Sequence, residues 1–190
     1  MENELKFLGF VGSLRNGSYN RSLMRAAMQL LPKAVAMEVF EIAGIPPFNQ
    51  DLERNPPEIV NQMKAKIRNA DAILFVSPEY NYSIPGVLKN AIDWASRPYV
   101  DNSWDGKPVA IMSASSGKLG GARMQYHLRQ SFVFLNMHPI NRPEFILANA
   151  ANYFDEKGNL KDEETRNHVQ NILASLADWT RKLKSIQKQP

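Results

Sequence analysis

The stretch GSLRNGSYNR, residues 12–21, concentrates groups that donate hydrogen bonds: the hydroxyls of Ser13 and Ser18, the amide of Asn20 and the guanidinium of Arg15. It follows an apolar run containing Phe7, Leu8, Phe10 and Val11, and precedes a helical pattern of Leu23, Met24, Ala27, Leu30 and Leu31. A strand, a tight polar loop and a helix start therefore fall together. A helix N-terminus carries unpaired N–H groups and partial positive charge, so it receives anions. Gly12 and Gly17 let the backbone approach a ligand closely, and the arginine fork suits phosphate. One polar residue, Ser18 or Asn20, would suffice as a helix cap. Three such donors and an arginine exceed that need and predict a phosphate site. The loop is not a GxxxxGK[ST] phosphate loop, and its glycines (Gly9, Gly12, Gly17) do not keep the GxGxxG spacing of a dinucleotide site.

Two further loops carry comparable chemistry. AILFVS, residues 72–77, is a continuous apolar run of the kind buried on both faces of a sheet. It breaks into Pro78, Glu79, Tyr80, Asn81 and Tyr82, rich in aromatic and amide groups. PVAIMSA, residues 108–114, is a second such strand and leads into SSGKLGG, residues 115–121, expected to be flexible and rich in backbone donors. Either loop alone could be a strand-ending turn or a helix start. Their placement after consecutive buried strands points to one ligand.

The intervening segments supply the scaffold. Residues 37–42 read as a strand. Pro46, Pro47, Pro56 and Pro57 mark an ordered surface loop. Ile59, Met63 and Ile67 mark one helix, and Val87, Leu88, Ala91, Ile92 and Ala95 another from about Pro85, a residue tolerated in a first turn. A long helix runs through Met124, Leu128, Phe132 and Leu135; EFILA, residues 144–148, reads as the fifth strand; and Val169, Ile172, Leu173, Leu176 and Leu183 line a last helix. Alternation of five strands with five helices predicts an α/β fold, a five-stranded parallel sheet in a three-layer sandwich. The economical order is the flavodoxin-like 2-1-3-4-5, whose ligand site lies at the switch point between strands 1 and 3. All 190 residues are expected to form a single domain.

Composition narrows the function classes. The net charge is +4, partly from Arg181, Lys182, Lys184 and Lys188, which read as a solvated helix end and not a nucleic-acid patch. With no cysteine there is no disulfide, thiolate nucleophile or iron–sulfur ligation. His127, His138 and His168 lack metal-ligand spacing and read as structural, and no metal site is expected. Absence of a signal-peptide pattern or a membrane-length apolar run makes the cytoplasm the expected location.

A phosphate at one end of a cleft and a planar, polar-edged ring at the other describe FMN. The motifs GSLRNGSYNRSL, SPEYNYSIPGVLKNAIDW and SASSGKLGGARMQYHLR resemble the NAD(P)H-dependent FMN reductase family, especially its chromate and quinone reductase branch, and the similarity spans nearly the whole chain. The resemblance implies bound FMN, NADPH or NADH as hydride donor, and ping-pong transfer to a small-molecule acceptor such as a quinone, chromate, an azo compound or free flavin. It implies that Ser13, Arg15, Ser18 and Asn20 bind the FMN phosphate, that Pro78, Glu79, Tyr80 and Asn81 border the isoalloxazine ring, and that Ser115 and Gly117 approach its pyrimidine side. Relatives are commonly homodimers or homotetramers, and Arg123, Tyr126 and Glu144 resemble an intersubunit polar network. The flavin carries the chemistry, so no protein catalytic residue is expected; Glu79, the one carboxylate in a motif, is expected to serve structure or hydrogen bonding.

Alternative readings are a flavodoxin-type electron carrier, a redox sensor that binds FMN without turnover, and a nicotinamide-binding dehydrogenase with Glu38 or Glu41 as the ribose acid. The basic charge and the loop's departure from the carriers' TxTGxT pattern oppose the first; the missing GxGxxG opposes the last. Asp155, Asn159 and Glu163 imitate a calcium loop only superficially, because Lys157 and Arg166 stand where oxygen ligands are needed. Asp162, Glu163 and Glu164 are expected to complement the last helix's dipole. Trp94, Tyr99 and Trp104 are left open between core, interface and acceptor pocket.

Overall fold

A computed structural model describes residues 4–187; Lys188 of the basic run lies outside the described residues. The elements in order are β1 (Leu5–Val11), α1 (Tyr19–Gln29), β2 (Val35–Phe40), α2 (Glu58–Asn69), β3 (Ala72–Val76), α3 (Gly86–Ala95), β4 (Pro108–Ala114), α4 (Ala122–Leu135), β5 (His138–Pro139), β6 (Phe145–Leu147) and α5 (Glu163–Gln187). Every strand pairing is parallel, in the order β2-β1-β3-β4-β5 with β6 also on β4.

Because side chains alternate across a strand, each central strand feeds two cores. Phe7, Leu74, Val76, Ala110 and Met112 pack with Leu23, Ala27, Ile172 and Leu176, so α1 and α5 cover one face. Leu8, Phe10, Ile73, Phe75, Val109 and Ile111 pack with Met63, Ile67, Leu88, Ile92, Leu128 and Phe132, so α2, α3 and α4 cover the other. This double burial is why β3 and β4 read as uninterrupted apolar runs. The doubly wound, flavodoxin-like order of the expectation holds.

Two boundaries differ. β2 begins two residues earlier than the apolar pattern suggests, because its ladder with β1 starts at Leu5 opposite Val35. The fifth strand position is shared by two short strands. β5 pairs with the start of β4 (Pro108 opposite His138), and β6 with its end (Met112 opposite Phe145). Pro139 and Pro143 flank the interruption, and proline cannot donate to a ladder.

The tryptophans resolve cleanly. Trp94 and Trp104 are core, with Nε1 donating to the carbonyls of Pro46 (2.8 Å) and Ile92 (3.0 Å). Tyr99 is exposed, lies under the Arg97 guanidinium at 3.7 Å, and meets Phe134 edge-on. Asp162 Oδ2 accepts from Thr165 N (2.8 Å) and Oγ1 (2.5 Å), hydrogen bonds that hold its carboxyl below the usual range and close the start of α5.

Trp104 touches Phe10 and Phe75 at ring separations of 5.5 and 5.7 Å, under the strands that carry the site. Trp104→Ala is expected to cost roughly 3–5 kcal/mol through lost contacts and an unfilled cavity. Urea unfolding checks this; an unchanged midpoint would mean that the ring contributes nothing to the core.

Candidate functional site

Loops after β1, β3 and β4 meet at the carboxyl ends of the strands, where the strand order reverses between β1 and β3. In the first, Ser18 is the N-cap of α1, its Oγ accepting from Asn20 N at 3.3 Å. Asn20 reaches across the sheet: Nδ2 donates to Ala114 O (2.8 Å) and Oδ1 accepts from Ala114 N (3.0 Å). Arg21 braces the back of the loop through Ser13 O (3.2 Å) and a two-pronged contact with Glu41, whose hydrogen bond holds the Glu41 carboxyl below its ordinary range. Glu38 pairs with Lys66 and Glu41 with Arg21, so neither is a free acid. Gly12 is obligatory for close approach: a Cβ there would lie 2.2 Å from Ser77 Oγ. Arg15, by contrast, is exposed and has no ion pair or side-chain hydrogen bond among the described residues.

The second loop is a tight hairpin. Tyr80 and Ser83 exchange backbone hydrogen bonds of 3.1 and 3.0 Å around Asn81 and Tyr82, both at positive φ (48° and 68°). A two-residue turn of this form requires φ > 0 twice, which is why Asn-Gly is its usual sequence. Tyr82 instead adopts the left-handed region and carries the Arg123 guanidinium 3.4 Å from its ring centre. Glu79 ties this turn to α4. Its Oε2 accepts from the backbone N–H groups of Arg123 (3.0 Å) and Met124 (3.3 Å), and its Oε1 from Arg123 Nε (2.5 Å) and Nη2. The hydrogen bond to Glu79 raises the Arg123 guanidinium above its already high pKa. The carboxylate, 8% exposed, therefore caps a helix and neutralises an arginine, the structural part expected of it. Farther along the turn, Ser83 Oγ meets His127 Nδ1 at 3.0 Å, a structural contact for that histidine.

Two adjoining cavities result. One, about 220 Å³, is lined by Ser13, Arg15, Ser18, Asn20, Pro78, Glu79, Tyr80 and Ser115, together with Tyr19, Ala114 and Ser116. The other, about 420 Å³, has Glu79 and Ser115 in common with it and adds Asn81, Tyr82, Gly117, Lys118, Leu119 and Arg123. The ten residues singled out from the sequence all line one or both. The sequence placed Tyr82 in this loop but gave it no part, because a left-handed tyrosine has no sequence signature. Within the chain, the Arg123 guanidinium serves Glu79 and Tyr82. The 115–121 loop is pinned rather than loose: Ser115 N donates to Leu147 O (3.0 Å), Ala150 N to Ser115 O (2.9 Å) and Asn149 N to Gly117 O (3.2 Å). A separate cleft between residues 139–142 and α5 lies away from all three loops.

Donor chemistry at the small cavity fits a phosphate: hydroxyls, a helix start and an unpaired guanidinium. The sequence profile of the family described as NADPH-dependent FMN reductase matches residues 5–152. The chain belongs to that family. It is 48% identical to an NAD(P)H-dependent FMN reductase of Pseudomonas aeruginosa over 97% of this chain and all of that one. It is 49% identical to an NAD(P)H:quinone oxidoreductase of Solanum tuberosum over 95% of each. Among solved structures, the flavoenzyme NAD(P)H:(acceptor) oxidoreductase FerB of Paracoccus denitrificans superposes with a TM-score of 0.87 at 36% identity, covering 94% of this chain and 98% of that one.

If Glu79 closes α4, Glu79→Ala leaves the backbone donors of Arg123 and Met124 without their acceptor, a loss of about 1–3 kcal/mol. Glu79→Gln, which keeps one acceptor oxygen, should recover part of it. Thermal unfolding separates the three proteins; an alanine variant as stable as the parent would remove the capping assignment.

Proposed function

We propose that this chain is an FMN-dependent NAD(P)H oxidoreductase that reduces quinones or similar small acceptors. The observation that carries the reading is the convergence of the three loops: two serines and an arginine unpaired among the described residues line one of two adjoining cavities, and a locked aromatic–amide turn lines the other. The names of the relatives support it, since those from Pseudomonas aeruginosa and Solanum tuberosum combine NAD(P)H with FMN or quinone.

Ser13, Arg15 and Ser18 hold the FMN phosphate, and Asn20, with its carboxamide committed to Ala114, keeps the loop's end in place beside them. Pro78, Glu79, Tyr80 and Asn81 border the ring, with Ser115 and Gly117 at its pyrimidine side. FMN bound there would supply two-electron redox chemistry between NADPH or NADH and the acceptor. The protein's share is position and electrostatics: Arg15 fixes one end, and the Glu79–Arg123–Tyr82 assembly holds the turn at the other. The whole chain acts as one FMN-binding domain.

A homodimer or homotetramer completes the proposal, supported by the exposure of Tyr126, Val133 and Phe134 on α4 and of Glu144. Among the described residues no helix is long and apolar enough to cross a membrane; a cytoplasmic location is part of the proposal.

The purified protein is expected to show a flavin absorption band that NADPH or NADH bleaches without oxygen and a quinone restores. A band that neither nucleotide bleaches would favour a carrier or sensor; a colourless protein that takes up no FMN would sink the reading. Arg15→Ala removes a charge-assisted contact and should weaken FMN retention about tenfold or more. Asn81→Ala should alter flavin affinity or turnover; if both stay at parental values, Asn81 is only a turn residue.

A further inference from the structure

Four charged side chains line the paired cavities: Arg15, Glu79, Lys118 and Arg123. Glu79 and Arg123 compensate each other, and Arg15 belongs to the phosphate loop. Lys118 is left. The residue is exposed, lines the larger cavity and makes no ion pair or side-chain hydrogen bond among the described residues.

The backbone that carries it is fixed on both sides. Before it, Gly117 N donates to Ser115 Oγ (3.1 Å) and Gly117 O accepts from Asn149 N (3.2 Å). After it, Gly120 sits at φ +60°, so close to β6 that a Cβ would lie 2.5 Å from Ile146 Cγ2 and 3.0 Å from Ala148 N. Lys118 and the exposed Leu119 form the projecting tip between these anchors. A cation held at a cleft wall without a compensating acid attracts anions. The proposed reaction brings few: the FMN phosphate, assigned to Arg15, and the phosphates of the nucleotide donor. Quinones, the acceptors proposed here, are uncharged; chromate is the one oxyanion among the acceptors the resemblance implies.

We propose that Lys118 docks a phosphate of the reduced nicotinamide dinucleotide; this rests on the oxidoreductase reading of the same cleft. Lysine suits the task because its ammonium is a point charge on a flexible stem, able to meet a phosphate without a fixed approach angle. That phosphate is either the pyrophosphate, common to NADH and NADPH, or the 2′-phosphate that only NADPH carries.

The test is calorimetric titration of the FMN-loaded protein with NADP⁺ and NAD⁺, for the parent, Lys118→Gln and Lys118→Arg. Lys118→Gln should weaken binding about tenfold, the lower end for a hydrogen bond to a charged group, while Lys118→Arg restores most of it. The KM for the nucleotide should rise by a similar factor, and FMN content should match the parent's, unlike that of Arg15→Ala. Weakening confined to NADP⁺ identifies the 2′-phosphate; weakening of both identifies the pyrophosphate. Parental affinity of Lys118→Gln for both nucleotides overturns the proposal, as does a parent protein that binds neither. Nucleotide binding that depends on Lys118, with a flavin that neither reduced nucleotide bleaches, would count against the oxidoreductase reading alone.

Discussion

The pair of hydrogen bonds between the Asn20 carboxamide and the backbone of Ala114 is the constraint on which the site depends. In a doubly wound sheet the chain leaves β1 toward one edge and β3 toward the other, and the gap between them opens a crevice. The loop after β1 is tied to β3 at its start by Gly12 N donating to Val76 O, and Arg21 braces its back against Glu41. Asn20, 2% exposed, fixes the loop to the end of β4, two strands away. It occupies both backbone groups of Ala114, at the point where β4 gives way to the 115–121 loop. Each buried backbone group needs a partner, so this one side chain satisfies two and sets two loops in register.

Charge is distributed around the crevice with the same economy. The acid Glu79 is spent on the arginine of its own motif and on the N-terminus of α4, where a carboxylate also opposes the helix dipole favourably. Remaining charge on the cavity walls is then positive, at Arg15 and Lys118. A crevice that carried Glu79 unpaired would repel phosphate; pairing it removes that penalty while leaving the turn rigid. Net basicity of the chain is therefore less informative than this local balance.

The sequence made β3 and β4 legible because strands buried on both faces read as nearly continuous apolar runs, and β1 because only Lys6 interrupts its apolar run. It made the site loops legible because hydroxyl, amide and guanidinium groups crowd more densely than caps and turns require. It did not reveal the split of the fifth strand position, since β5 and β6 are edge segments of two and three residues with no periodicity to read. Nor did it reveal what Asn20 and Arg123 do, because their partners lie 94 and 44 residues away and include backbone atoms that carry no identity. Trp94 and Trp104 could not be sorted from Tyr99 by type. Burial separates them, and burial is a property of the packed sheet.

The Tyr80–Ser83 turn shows why residue type alone undersells a site. A left-handed conformation costs an L-residue with a bulky side chain roughly 1–2 kcal/mol, and glycine would avoid that cost at position 82. Tyrosine provides what glycine cannot, a face for the Arg123 guanidinium, at about 0.5–1 kcal/mol for an exposed cation–π contact. That contact alone does not offset the strain. The balance comes from the two backbone hydrogen bonds of the turn and from Glu79, which holds Arg123 in place whether or not Tyr82 is beneath it. Strain retained at such a position, over-determined by its surroundings, is characteristic of ligand clamps. The turn is thus held in one shape by α4 before any ligand arrives, and a planar ring entering the cleft meets a preformed wall.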